Sequence, residues 1–283
     1  MPHPDAPALR VAVLDLYDGQ PNQGMRCIEA FLKGQSGPPL KADITYDVFE
    51  VRGEAAVPDL SYDAYISTGG PGSPWDGLDQ PWEAAYFDWL EALWQHNRAR
   101  YPKKHALFIC HSFQLLCRYF EVGQVTKRPA QSFGIFEVHR LPGGHDEPLF
   151  DALPDPFWAA DFRRWQVVQP DHDRVAALGA SLLAREQPYE EYPYERALMG
   201  IRLSPELVGV QFHPEADPEG MLAHFRRPAQ RKAVIGSFCE ARYQRLIARL
   251  KEKQYLTPTH QTVIPTFLRR ALRATHHTLA PAA

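Results

Sequence analysis

The chain has few cysteines, no long apolar run and no excess of charge, and each shortage removes a class of protein. Cys27, Cys110, Cys117 and Cys239 are scattered over 283 residues without a C-x-x-C pair. That spacing argues against a disulfide framework or a structural zinc site and fits a reducing compartment. No apolar stretch approaches the roughly 20 residues that a membrane-spanning helix needs. A formal charge of −3 gives no reason to expect a nucleic-acid or anionic-membrane partner. The opening Met1-Pro-His-Pro-Asp-Ala-Pro7 is polar and proline-rich, unlike a secretory signal, so the expected location is the cytoplasm. There is no internal repeat, and no feature asks for a cofactor or a metal ion. His276 and His277 are adjacent rather than four apart, which speaks against a metal pair on a helix.

What is present reads as one sizeable α/β protein. Leu9–Leu16 is almost wholly apolar, as a parallel strand buried on both faces must be. A turn over 17–24 leads to a helix with Met25, Ile28, Phe31 and Leu32 on one face. Residues 43–51 and 64–67 read as the next two strands. Residues 81–97 form an amphipathic helix whose tryptophans and phenylalanine are expected in the core. The alternation predicts a doubly wound, mostly parallel sheet, with the site at the carboxyl ends of its strands. Residues 131–138, 165–169, 181–184 and 207–212 supply further strands. Beyond Asp217 the chain turns helical, with an apolar stripe from Ile235 to Leu250. Arg242, Arg245, Arg249, Lys251 and Lys253 are expected on its solvated face. A last short helix is expected over 266–275. Residues 1–225 thus read as the main domain, and 226–283 as a C-terminal helical extension and tail.

Three stretches fall at strand ends. The apolar run Ala106–Ile109 changes at Cys110 into helical spacing through Phe113, Leu116, Cys117 and Phe120. A thiol at that junction is thrown out of the sheet, and the helix N-terminus favours negative charge on and beside it. Alone, this reading is outweighed by the ordinary one, a small buried hydrophobe. Gly69-Gly70-Pro71-Gly72 follows the third strand. It is an ordinary turn or a backbone shaped to approach a ligand, and no Gly-Lys-Ser/Thr follows to make it a phosphate loop. His213-Pro214-Glu215 ends the last strand, where residues two apart can share a face and a carboxylate can steady an imidazole. By itself it could equally be a strand-end histidine with an incidental acid nearby.

Together and in this order, Gly-Gly-Pro-Gly, the cysteine turn with Gln114 four residues on, and Gly209-Val-Gln-Phe-His213-Pro-Glu215 resemble the class I glutamine amidotransferases. The likeness covers about residues 9–225 and is strongest to stand-alone members similar to the glutaminase domain of GMP synthase. It implies that Cys110 is a nucleophile, His213 its base and then acid, and Glu215 the group that orients His213. It also implies an oxyanion hole from the Gly70 and His111 N–H groups, and a substrate contact from Gln114. The implied reaction hydrolyses glutamine or a γ-glutamyl compound to glutamate and ammonia through a thioester. No Ser-Gly-Gly-x-Asp-Ser synthetase motif occurs, so an ammonia-accepting synthetase would be a separate chain. The sequence also departs from the family. Phe108 and Ser112 stand where the family has glycines, so the tight strand–helix crossing must hold two extra side chains. Arg163-Arg164-Trp165 stands where the family's Ser-His pair is expected. His111 directly follows Cys110, as in intracellular peptidases related to this fold, where the adjacent histidine is the catalytic partner. A peptide or small-amide hydrolase, or a non-catalytic binding protein that keeps the three residues, are the alternative readings.

Overall fold

The computed structural model describes residues 8–20, 22–40, 42–188 and 195–277. The Met1–Pro7 segment, the aromatic stretch 189–194 and the terminal 278–283 lie outside the described residues, as do the side chains of His276 and His277. The first half of the chain contains β1 (Ala8–Asp15), α1 (Gln23–Leu32), β2 (Asp43–Glu50), a one-turn α2 (Val51–Glu54) and β3 (Ala64–Ser67). It continues with α3 (Pro81–Ala99), β4 (His105–Ile109), α4 (His111–Tyr119), β5 (Gln124–Arg140) and the short α5 (Pro142–His145). Then come β6 (Phe157–Val168), α6 (His172–Leu178), β7 (Ser181–Glu186), β8 (Leu198–Arg202) and β9 (Leu207–Val210). Four helices follow: α7 (Pro218–Phe225), α8 (Pro228–Ser237), α9 (Glu240–Lys251) and α10 (Lys253–His277).

The strands form one sheet in the order β2-β1-β3-β4-β9-β8-β7-β5-β6. From β2 to β9 neighbours are parallel. From β9 to β6 they are antiparallel. The sheet is therefore mixed, a doubly wound parallel half carrying an antiparallel arm. Helices cover both faces of the parallel half. On one face α1 and α10 pack over Leu9, Val11 and Val13. On the other, α3 and α4 pack over Ala12, Leu14 and Phe108. Alternate residues of β1 thus enter opposite cores, as the period of a strand requires. Trp82, Trp89 and Trp94 of α3 are buried in the second core, as expected from their spacing.

Register decides where the three stretches go. Ser67 pairs with Phe108, and Phe108 with Gly209. The ends of β3, β4 and β9 are therefore level. At Gly209 an added Cβ would lie 2.9 Å from Phe113 and 3.0 Å from Leu116, so only glycine lets α4 sit this close to the sheet.

The C-terminal part is helical, with two differences from expectation. The apolar stripe is two helices, α8 and α9, broken at Phe238 and Cys239. The last helix begins well before residue 266 and runs through Pro258 and Pro265. Nor is the basic face of α9 simply solvated. Arg249 donates to the Ile135 carbonyl and stacks 4.5 Å from the Trp158 ring. Arg242 stacks 4.8 Å from the Phe238 ring and donates to the Gln131 carbonyl of β5 at 3.4 Å. Their aliphatic stems and planar heads bind α9 to the arm.

His105, at the start of β4, is 7% exposed and its Nε2 has no partner. Burial, aided by the Arg270 and Arg202 charges, pushes its imidazole down to about 4. The unfolded chain therefore takes up a proton near pH 6.5 that the folded chain refuses. Stability is expected to fall as pH drops from about 6.5 towards 4, by up to about 3 kcal/mol from this group. His105→Gln should flatten that part of a urea-unfolding series against pH; an unchanged slope would rule out His105 as its source.

Candidate active site

Cys110 caps α4 with φ 50° and ψ −97°, a backbone that L-residues rarely adopt. Three bonds hold it there. Its N–H donates to the Val210 carbonyl at 2.8 Å. The Ser112 hydroxyl accepts from the Ile109 N–H at 2.8 Å and donates to the Ser67 carbonyl at 2.7 Å. The two side chains that replace glycine here are thus accommodated away from the site. Ser112 stitches the turn to β3, and Phe108 enters the α3-side core beside Trp89.

His213 follows β9, and its N–H bonds to the Ala160 carbonyl of β6 at 2.9 Å. Its Nδ1 meets Glu215 Oε1 at 2.7 Å, with the two side chains 13% and 2% exposed. Burial alone would lower the imidazole's pKa. The charges of Glu215 and the Cys110 sulfur, with hydrogen bonds to both, instead hold it well above the usual value. Tyr17 joins this group. The Leu14–Ser67 pairing brings the ends of β1 and β3 together, and Tyr17 and Gly70 just beyond them line the same cavity. A Cβ built on Gly69 would lie 3.0 Å from His213 Cε1, 3.2 Å from the Tyr17 hydroxyl and 3.6 Å from Cys110 Cβ. Burial, then the negative Glu215 and Cys110 groups, pushes the Tyr17 phenol well above 10, so it stays a hydroxyl. The sequence reading missed Tyr17. Its signal is register, which becomes visible only when β1 is known to lie beside β3.

Gly70 is set by its neighbours. The Thr68 hydroxyl accepts from the Leu16 N–H at 2.9 Å and donates to the Gly69 carbonyl at 2.8 Å. In a trans peptide the N–H points opposite the carbonyl, so this bond fixes where the Gly70 N–H is aimed. Neither the Gly70 nor the His111 N–H has an acceptor among the described residues. The His111 ring is elsewhere. Burial, then the Arg52 and Arg118 charges, pushes its imidazole down to about 3, and Nε2 is buried without a partner. The geometry therefore places Cys110 beside His213 and its partner Glu215, while the His111 ring stays neutral.

Two chambers meet at Cys110. One, of about 180 Å³, is lined by Gln114, Gln131, Arg164 and Trp165 and shares Gly70 and Cys110 with the other. Gln114 Nε2 donates to the Trp165 carbonyl at 3.2 Å and to Gln211 Oε1 at 3.0 Å. Its own Oε1 has no partner among the described residues. Arg163, in place of the expected Ser-His pair, is buried beneath. It bonds Asp161 at 2.9 Å and Glu186 at 2.6 Å, and Arg128 reaches Glu186 at 2.9 Å. Arg164 is exposed, and only its Nε is engaged, by Gln131 at 3.2 Å. The other chamber, of about 380 Å³, lies on the His213 side. Among the described residues no cluster of His, Cys, Asp and Glu is arranged to hold a metal ion, and no helix is long and apolar enough to cross a membrane.

No protein-family model and no curated protein matches the sequence. Solved structures do match. A glutamine amidotransferase from Thermotoga maritima aligns with TM-score 0.66 at 14% identity, over 93% of this chain and 98% of that one. A putative GMP synthase subunit from Thermoplasma acidophilum gives 0.58 at 14% identity, over 98% and 100%. The glutaminase domain of Trypanosoma brucei CTPS, with bound acivicin, gives 0.53 at 13% identity, over 73% and 86%. The chain has the class I glutamine amidotransferase-like fold.

A Cβ on Gly70 would stand 2.4 Å from the Leu16 carbonyl oxygen, a backbone atom that cannot turn aside. Gly70→Ala is expected to lower the urea-unfolding free energy by about 1–3 kcal/mol. Gly236→Ala in α8, where nothing lies within 4 Å, should raise it by about 0.5–1 kcal/mol. Equal effects at the two positions would contradict the assignment of a strained approach to Gly70.

Proposed function

We propose that the protein is a cysteine-dependent amidohydrolase that cleaves the side-chain amide of a γ-glutamyl compound, either glutamine or an N-substituted relative. The observation that carries this is His213, bonded to Glu215 through Nδ1 and facing the Cys110 thiol. Glu215 fixes the tautomer and steadies the imidazolium, so His213 can take the thiol proton and later give it up. The Cys110 sulfur attacks the amide carbon. The Gly70 and His111 N–H groups receive the oxyanion, at the positive end of α4. His213 protonates the leaving nitrogen, the C–N bond breaks, and a thioester remains. Water, deprotonated by His213, then attacks the thioester and releases glutamate. Gln114 Oε1 and the free end of Arg164 would hold the amino-acid end of the substrate, Arg164 as the counter-charge to its carboxylate. The neighbours described as a glutamine amidotransferase and a glutaminase domain support the same chemistry. With glutamine as substrate, the ammonia would pass to a separate synthetase, an arrangement supported by the neighbour described as part of a GMP synthase. His111 is not assigned a proton-transfer role, because its buried ring stays neutral.

Glutamate release from glutamine and from γ-glutamyl amides tests the reading. Cys110→Ala should abolish it, and activity that persists would remove Cys110 from the mechanism. Removing the Glu215 charge lowers the His213 pKa, so the imidazolium loses its proton at lower pH. The alkaline limb of kcat/KM in Glu215→Gln should therefore move down by about one pH unit or more. A limb that stays in place would refute the orienting role. Arg164→Ala should raise KM about tenfold or more with kcat little changed, and an unaltered KM would take Arg164 out of the binding site.

A further inference from the structure

The chamber on the His213 side is built for something larger than ammonia. Cys110, Gly70, Pro71 and Phe162 line both chambers, whereas His213 and Glu215 line only the larger one and Gln114 only the smaller. An amide carbonyl attacked by Cys110 is therefore divided between them. The acyl chain lies towards Gln114. The leaving nitrogen has to lie towards His213, because that ring supplies its proton. Whatever the nitrogen carries then projects into the larger chamber.

Ammonia needs no more room than a water molecule, about 10–15 Å³ on a comparable measure. The chamber offers about 380 Å³, within the roughly 300–1,000 Å³ range of small-ligand sites. Its walls are largely apolar: Phe162 and Phe225, with ring centroids 6.1 Å apart, and Met221. Its polar groups besides His213 and Glu215 include Tyr17, a neutral phenol, and His224, whose Nδ1 is buried without a partner. Burial and the Arg227 charge lower the His224 pKa, so its ring is neutral near pH 7. Among the described residues no lysine, arginine or aspartate lines the chamber, and its one carboxylate, Glu215, is already bonded to His213, so a charged amine substituent would have to compete with that ring for it.

We infer that the preferred substrate is an N-substituted γ-glutamyl amide whose amine carries an uncharged aromatic or branched aliphatic group. This rests on the amidohydrolase reading and narrows it. The thioester forms between Cys110 and the γ-carbonyl carbon as the C–N bond breaks. The amine leaves from the larger chamber with the proton from His213, and water then frees glutamate.

The test measures glutamate from L-glutamine, γ-glutamyl ethylamide and γ-glutamyl benzylamide, with purified full-length protein and its Met221→Trp variant. Alkylamides are no more reactive than a primary amide, so a preference for them reports binding. The expected kcat/KM for the benzylamide is about 10-fold or more above that for glutamine, the gain from burying an apolar group in a fitted site. Met221→Trp, which fills the chamber, should cut the benzylamide-to-glutamine ratio by a similar factor. Glutamine hydrolysed as well as or better than the benzylamide, or a ratio that Met221→Trp leaves alone, would overturn the inference and leave the amidohydrolase standing. Should the variant not fold, the wild-type ratio decides. If no amide is cleaved, intact-mass analysis after acivicin separates the failures. A labelled Cys110 would sink only the substrate class, and an unlabelled one the amidohydrolase reading as well.

Discussion

A cysteine backbone at φ 50° and ψ −97° persists only where its surroundings over-determine it, because such conformations cost about 1–3 kcal/mol. Much of the site can be understood as that over-determination. Parallel neighbours on both sides hold β4 in register, and Val210 takes the Cys110 N–H. Ser112 ties the next turn back to Ser67. Gly209 gives way so that α4 can start where it must. With that turn fixed, the thiol leaves the sheet, the His111 N–H stands at the helix end, and the ends of β3 and β9 bring Gly70 and His213 alongside.

The antiparallel arm is the counterpart. Arg128, Asp161, Arg163 and Glu186 are all nearly buried, two positive and two negative groups bonded to one another. Such a network is weak evidence for stability, since desolvation can exceed the attraction gained. Its effect here is positional. Arg163 also donates to the Trp165 carbonyl at 3.3 Å, the same oxygen that holds Gln114. An ionic lattice built partly on β6 thus reaches the polar chamber, through Arg163 in its wall and through the carbonyl that Arg163 shares with Gln114. The arm does the same for His213 through the carbonyl of Ala160.

What could be read from sequence followed from local pattern. The apolar runs of β1 and β4, the change of period at Cys110 and the face of α3 are each set within a dozen residues. Strand order is not local, so the antiparallel half of the sheet and the place of Tyr17 beside Gly70 were not legible. Only residues 131–138 of the 17-residue β5 read as strand in the sequence, because its register shifts between Lys127 and Ser132 and spoils the alternation before that point. The last helix reads only over 266–275 in the sequence, whereas it runs through Pro258 and Pro265, each of which costs it a backbone bond. Burial of Val263, Ile264 and Phe267 against the sheet outweighs the lost backbone bonds. Arg242 and Arg249 looked like solvated charge because sequence shows charge but not the rings it will lie on.

The helix that covers Leu9, Val11 and Val13 is the last one described, and its Phe267, Leu268 and Ala271 share a core with those first-strand residues. Synthesis delivers the two partners in the wrong order for early completion. β1 is made long before α10, so the part of this face that α1 does not cover stays open until more than 250 further residues have been added. The α3 and α4 side can close on its own strands well before then, while the opposite face waits. A nascent chain of this design therefore carries a long-lived half-core, a natural substrate for chaperones that shield apolar strands during translation.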